Sequence, residues 1–203
     1  MIGIVDIAIG NPKSIKNALN FMNIESELIS DPVSIKTFKK LILPGVGNYG
    51  AYIEKLNSTG FYSALSSYSK VEALPILGIC VGAQALLERS AESECVAGLG
   101  LIPGEVSRIH ASPNQKIPNV GWCQIEYSQP LFISDSIDPK EKYYFSHSYE
   151  MKVESKFLVA QIAHDDVITA IIKKDNIIGV QFHPEKSNKA GLKFLKDFSR
   201  WNT

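Results

Sequence analysis

Charge of one sign is what this sequence lacks first: 21 Lys and Arg offset 21 Asp and Glu over 203 residues, a formal net charge of zero with histidine neutral. That balance excludes the broad basic field of a nucleic-acid or polyanion binder. Long hydrophobic runs are missing too. No stretch approaches the roughly 18 consecutive apolar residues of a membrane span, and Met1 to Asp6 has no basic segment leading into a long apolar one. The chain is therefore expected to be cytoplasmic, with no membrane partner. Cysteine is scarce: Cys80, Cys95 and Cys123 are odd in number, far apart and without paired ligand spacing, which argues against a disulfide framework or a zinc site. No metal or cofactor is expected, and at least one thiol is free.

What is present is the composition of a folded chain, 45% hydrophobic and 21% charged, with length for one substantial core and so a single domain over residues 1–203. No internal repeat, low-complexity tract or linker interrupts it. The first half alternates strand and helix. Ile2 to Ile7 reads as a strand, Pro12 to Met22 as a helix, Glu25 to Ser30 as a strand ending at the Asp31-Pro32 turn, and Leu41 to Leu43 as a third strand broken by Pro44-Gly45-Val46-Gly47. One or two helices cover Tyr49 to Ser69, Pro75 to Ile79 is a buried strand, and Gly82 to Arg89 is a helix. Such alternation implies right-handed crossovers and a parallel sheet covered on both faces.

The second half is strand-rich, with candidates at Glu105 to His110, Gln124 to Tyr127, Tyr143 to Ser146, Phe157 to Ala163, Val167 to Lys173 and Ile177 to Phe182. Lys174-Asp175-Asn176 suits a hairpin turn, and a final helix capped by Ser187 places Ala190, Phe194, Phe198 and Trp201 on one face. These strands are expected to extend the same sheet. The fold class is thus α/β, a three-layer, doubly wound, mostly parallel sheet with helices on both faces and antiparallel strands in the second half.

Within this frame Gly78-Ile79-Cys80-Val81-Gly82 has chemical meaning. A nucleophile at a sharp strand-to-helix turn projects from the C-terminal edge of the sheet, and flanking glycines remove the side chains that would collide. The following helix would aim its unpaired N–H groups and positive dipole end at Cys80, favouring thiolate and offering oxyanion donors. Taken alone, the five residues are equally compatible with a small buried cysteine in a Gly-rich turn. A base is available in Phe182-His183-Pro184-Glu185: residues two apart in an extended segment share a side, so Glu185 would orient the imidazole of His183, with Pro184 favouring extension. His147 follows a strand in a polar stretch and is a pocket candidate, whereas His110 and His164 have ordinary strand-end contexts. Pro44 to Gly47 would emerge at the same sheet edge as Cys80.

Together these segments resemble the class I (triad) glutamine amidotransferases over nearly the whole chain, a family with a flavodoxin-like sheet. Gly78 to Gln84 resembles its nucleophile elbow, Pro44 to Gly47 its oxyanion strand, and His183-Pro184-Glu185 its remaining triad members. Within the class, Gly10-Asn11, Tyr144 to Tyr149 and Gln181 to Ser187 are most similar to the glutaminase subunit of imidazole glycerol phosphate synthase. The resemblance implies that Cys80, His183 and Glu185 hydrolyse L-glutamine to glutamate and ammonia, with oxyanion donors at Gly45, Val46 and Val81. It implies substrate binding by Gln84, His147, Ser148 and Tyr149, and docking through Asn11, Trp122 and Lys186 onto a (β/α)₈ cyclase that uses the ammonia in histidine biosynthesis. The chain departs from the family pattern at Ile7-Ala8 and at Asn119, Val120 and Cys123. Those departures leave open a paralogue that serves another acceptor, such as a surface sugar. A reading of another class is a non-catalytic thiol sensor or interaction protein on a related sheet.

Overall fold

The computed structural model describes residues 1–71, 74–110, 116–131, 140–162 and 168–201. Its framework is a nine-stranded sheet. In chain order the strands are β1 (Ile2–Val5), β2 (Ser26–Ile29), β3 (Lys40–Gly45), β4 (Ile76–Cys80), β7 (Asn119–Tyr127), β8 (Lys142–His147), β10 (Leu158–Ile162), β11 (Thr169–Lys174) and β12 (Ile177–Val180). Their order across the sheet is β2-β1-β3-β4-β12-β11-β10-β7-β8. Pairing is parallel from β2 to β12 and antiparallel from β12 to β8. Every residue of β1, β3, β4 and β12 is buried, as strands covered on both faces must be.

Helix α1 (Pro12–Phe21) joins β1 to β2, with Pro12 in its first turn and Ile15 and Leu19, one turn apart, turned into the core. From β2 the chain crosses to the other side of β1, where α2 (Tyr49–Ser58) and α3 (Phe61–Val71) join β3 to β4. Winding in opposite directions from β1 puts α1 and α2–α3 on opposite faces. The last helix, α5 (Asn188–Arg200), packs beside α1. Asp31 accepts from the Val33 N–H and caps a short 3₁₀ turn. The β11–β12 hairpin turns at Asp175, whose φ is +52°.

Three expectations are corrected. The second half does not all extend one sheet: β5 (Arg89–Ser90), β6 (Glu105–Arg108) and β9 (Tyr149–Lys152) form a separate three-stranded sheet. In β6 only Val106 is buried, so the strand has too little apolar surface for the middle of the main sheet. The helix expected over Gly82 to Arg89 is a single turn, α4 (Val81–Gln84). Ala85, Leu86 and Leu87 are all fully buried, leaving no polar face. Their carbonyls accept instead from Leu99 at 2.8 Å, from Leu101 at 2.8 Å and from Gly100 at 3.1 Å. Ser187 precedes α5 but makes no side-chain cap. Its hydroxyl donates to the His183 carbonyl at 2.6 Å and accepts from the Tyr144 N–H at 2.9 Å, fixing the chain at the candidate site. The strand ends proposed at 163 and 167, and His164, lie outside the described residues.

The C-terminal end of α5 is closed by a lysine from the start of β3. Lys40 is buried and donates to the carbonyls of Phe198 at 3.3 Å, Ser199 at 2.8 Å and Trp201, the orphan acceptors of a helix terminus.

Candidate active site

Three C-terminal strand ends meet at one sheet edge. Gly45 closes β3 opposite Cys80, which closes β4, and the chain leaving β12 reaches His183 three residues later. Cys80 holds φ 53° and ψ −114°, a left-handed conformation that strains a residue with a Cβ by about 1–3 kcal/mol. The close packing that imposes it depends on glycine. A Cβ on Gly82 would lie 1.9 Å from the Leu43 carbonyl oxygen, and one on Gly78 would lie 2.7 Å from Ala83 Cα.

The imidazole of His183 is 3% exposed and its Nδ1 lies 3.0 Å from Glu185 Oε1, itself on a side chain 2% exposed. With Nδ1–H committed to the carboxylate, the other ring nitrogen is the one left for Cys80, whose side chain is the second polar neighbour of the imidazole. Burial pulls the imidazole down, but Cys80 and Glu185 together outweigh it and push its pKa up to about 9. The His183–Glu185 contact does not arise in the extended way expected. His183 precedes a 3₁₀ turn, Pro184–Lys186, with Pro184 in the first position. Glu185 curls back in that turn instead of sharing a strand face. Since α4 is only four residues long, the dipole of a full helix does not reach Cys80, and the imidazole is its charged neighbour.

Val46, Gly47, Val81, Gln84, Ser148 and Tyr149 line a cavity of about 350 Å³ with Cys80, His147 and His183. Gly45 lies beneath it at the end of β3, and Tyr52, fully buried, donates its hydroxyl to the Pro44 carbonyl at 2.9 Å, anchoring that strand end. The first-turn N–H groups of α4, beginning with Val81, have no partner within the helix. His147 lines the cavity but offers it no free nitrogen. Its Nδ1 faces the Tyr149 carbonyl at 2.8 Å and must donate, so Nε2 accepts from Asn119 Nδ2 at 3.1 Å. Burial lowers its pKa to about 4, and the ring is neutral at physiological pH. Asn119 also accepts from the Cys123 thiol at 3.8 Å, so two of the sequence departures form one chain of contacts with His147.

Trp122 is 44% exposed and Val120 56% exposed. Trp122 packs edge-on against Tyr144, and Lys186 lies over the same ring, 5.7 Å from its centre. Asn11 opens α1, which touches the 3₁₀ turn holding Lys186. Trp122 and Lys186 thus meet on the Tyr144 ring, and Asn11 stands at the start of the helix that touches the Lys186 turn. His110 is exposed at the end of β6, and Cys95 is exposed and away from the cavity lining.

Sequence reasoning missed two polar residues. Glu92 lines the cavity while accepting from the Tyr49 N–H at 2.8 Å. Gln181 is fully buried with its Nε2 3.7 Å from Cys80 Sγ. A glutamine directly after the apolar strand Ile177–Val180 was the available signal.

No grouping of His, Cys, Asp or Glu among the described residues could hold a metal ion, and no helix there is long and apolar enough to cross a membrane. Residues 4–200 match the family described as glutamine amidotransferase class-I. Imidazole glycerol phosphate synthase subunit HisH 1 of Campylobacter jejuni (strain RM1221) is 37% identical over 200 residues, 98% of this chain and 100% of the relative. HisH of Listeria monocytogenes (serovar 1/2a) is 37% identical across 98% of this chain and 94% of its own, and HisH 2 of Methanococcus maripaludis 37% identical across 98% of each. Among solved structures, one titled as a glutamine amidotransferase superposes with a TM-score of 0.74 at 15% identity, covering 98% of both chains. PurLQS of Thermotoga maritima gives 0.73 at 17%, covering 97% of this chain and 96% of that one; at such identity these two establish the fold. The chain belongs to the class-I glutamine amidotransferases, in the branch of the HisH subunits.

Proposed function

We propose that this chain is the glutaminase subunit of an imidazole glycerol phosphate synthase, with Cys80, His183 and Glu185 as its catalytic triad. The observation that carries the reading is the buried thiol–imidazole–carboxylate series at the foot of the cavity. A sensor thiol needs an acidic cysteine but no base oriented by a third group.

In this mechanism His183 holds the proton and Cys80 attacks as thiolate at the side-chain amide carbon of glutamine. The oxygen of the tetrahedral adduct takes its negative charge among the N–H groups of Val81 and the Gly45–Val46 segment. The adduct collapses by breaking the C–N bond, with His183 giving its proton to the departing ammonia. Neutral His183 then takes a proton from water, hydroxide adds to the thioester, and C–S cleavage returns the electron pair to sulfur, releasing glutamate as the acid ionises. Gln84, with the backbone around His147, Ser148 and Tyr149, holds the substrate. Glu92 is the cavity carboxylate beyond the triad and suits the α-ammonium group.

The exposed Val120 and Trp122, with Asn11 and Lys186, form the docking rim for a (β/α)₈ cyclase, which receives ammonia away from water. The test is glutamate release by this chain coexpressed with a (β/α)₈ cyclase subunit from the same organism, with and without the cyclase's nucleotide acceptor. Stimulation by the nucleotide supports the histidine-pathway role. Hydrolysis indifferent to it would keep the triad and move the chain to another acceptor, and hydrolysis retained by Cys80→Ser would overturn the mechanism.

A further inference from the structure

We propose that Gln181 is a further catalytic residue, whose amide N–H donates to the Cys80 sulfur and stabilises the thiolate before attack and again as it leaves the thioester. The inference rests on the nucleophilic role of Cys80 given above.

Three hydrogen bonds fix which end of the amide faces sulfur. The Tyr149 carbonyl can only accept, so the group of Gln84 that reaches it at 3.1 Å is its NH₂. The same NH₂ lies 3.1 Å from the Gln181 side chain, which must present its oxygen there. Gln181 is thereby left with its own NH₂ toward Cys80 Sγ at 3.7 Å, an ordinary distance for a bond to sulfur. Its backbone is held as firmly, the N–H donating to the Ala170 carbonyl at 2.9 Å. A fully buried amide would destabilise the core without such partners, and here one of them is the reacting atom.

The division of labour with His183 follows from chemistry. An imidazole moves the proton. A primary amide does not titrate, so Gln181 favours sulfur's negative charge at every working pH and takes no proton from the cycle. In the thioester the sulfur is a poor acceptor and the bond weakens. When the C–S bond breaks and its electron pair returns to sulfur, the bond strengthens again, as transition-state stabilisation requires. No additional reactant is involved.

The test is alkylation of Cys80 by iodoacetamide across pH, without glutamine, followed by mass spectrometry of the Cys80 peptide so that Cys95 and Cys123 do not contribute. In Gln181→Met the alkylation midpoint should rise by about one pH unit, and kcat for glutamine should fall about ten- to hundredfold with KM changed less than about threefold. Gln84→Met, which frees the Gln181 amide to turn, should raise the midpoint by a smaller amount. A Gln181→Met profile that superimposes on the parent overturns the proposal. If circular dichroism shows that variant unfolded, an unchanged Gln84→Met profile overturns it instead. Cys80→Ser, assayed in parallel, separates the two readings: retained hydrolysis removes the nucleophile, whereas the alkylation profile reports the Gln181–sulfur bond regardless.

Discussion

Replacing Glu185 by glutamine keeps the shape of the site and removes the charge beside His183. At about 1.4 kcal/mol per tenfold in proton affinity, the rise of that imidazole from 6.5 to about 9 amounts to about 3 kcal/mol in favour of its protonated form. Both side chains of the pair are at most 3% exposed, so solvent screens little of it. Burial opposes protonation, and Cys80 and Glu185 supply what overcomes it; losing one of two partners should therefore cost on the order of 1–2 kcal/mol, moving the pKa down by about a unit or more. The folded value lies above the unfolded one, so the stabilisation is fully present below about 6.5 and lost as pH rises through about 9. Two consequences are expected. The alkaline limb of kcat/KM, which records loss of the acid that protonates ammonia, should move toward neutrality by about one unit or more. Denaturant unfolding should show Glu185→Gln less stable than the parent at pH 6, with the difference shrinking as pH approaches about 9 and gone above it. An alkaline limb that stays in place, with His183 titrating as in the parent by NMR, would refute the assignment.

The other two predictions concern geometry and a neutral histidine. Gly82→Ala would set a Cβ 1.9 Å from the Leu43 carbonyl; because that atom is backbone, thermal denaturation should show a loss of about 3 kcal/mol or more, or failure to fold. His147, with a pKa lowered from 6.5 to about 4, binds fewer protons folded than unfolded. It should therefore weaken the fold progressively as pH drops from about 6.5 to 4, the reverse of His183, and His147→Gln should flatten that part of the stability profile.

The elbow and His183-Pro184-Glu185 were legible because each is a contiguous segment whose chemistry is written locally. Gln181 stands in that same segment yet was passed over, since its partner Cys80 is 101 residues away and nothing beside it in sequence names a thiol. The length of α4 was hidden for a similar reason: Ala85 to Leu87 end their helix because Leu99, Gly100 and Leu101 return to take their carbonyls. Strand β9 escaped notice because one residue, Ser148, separates it from β8. Periodicity located the main sheet, whose inner parallel strands β1, β3, β4 and β12 are buried throughout. In the small sheet it found β6, within Glu105 to His110, and missed β9 and the two-residue β5.

Lys40 has a consequence for the order in which the chain completes itself. Its ammonium group is satisfied by carbonyls 158, 159 and 161 residues later, so a ribosome delivers the donor long before the acceptors. Closing a loop of that length costs about 4–5 kcal/mol of chain entropy, and until it closes, a buried cation at the start of β3 has nothing to receive its protons. The parallel core cannot become dry around β3 until the last helix docks, which ties nearly the whole synthesis of the chain to a single late event.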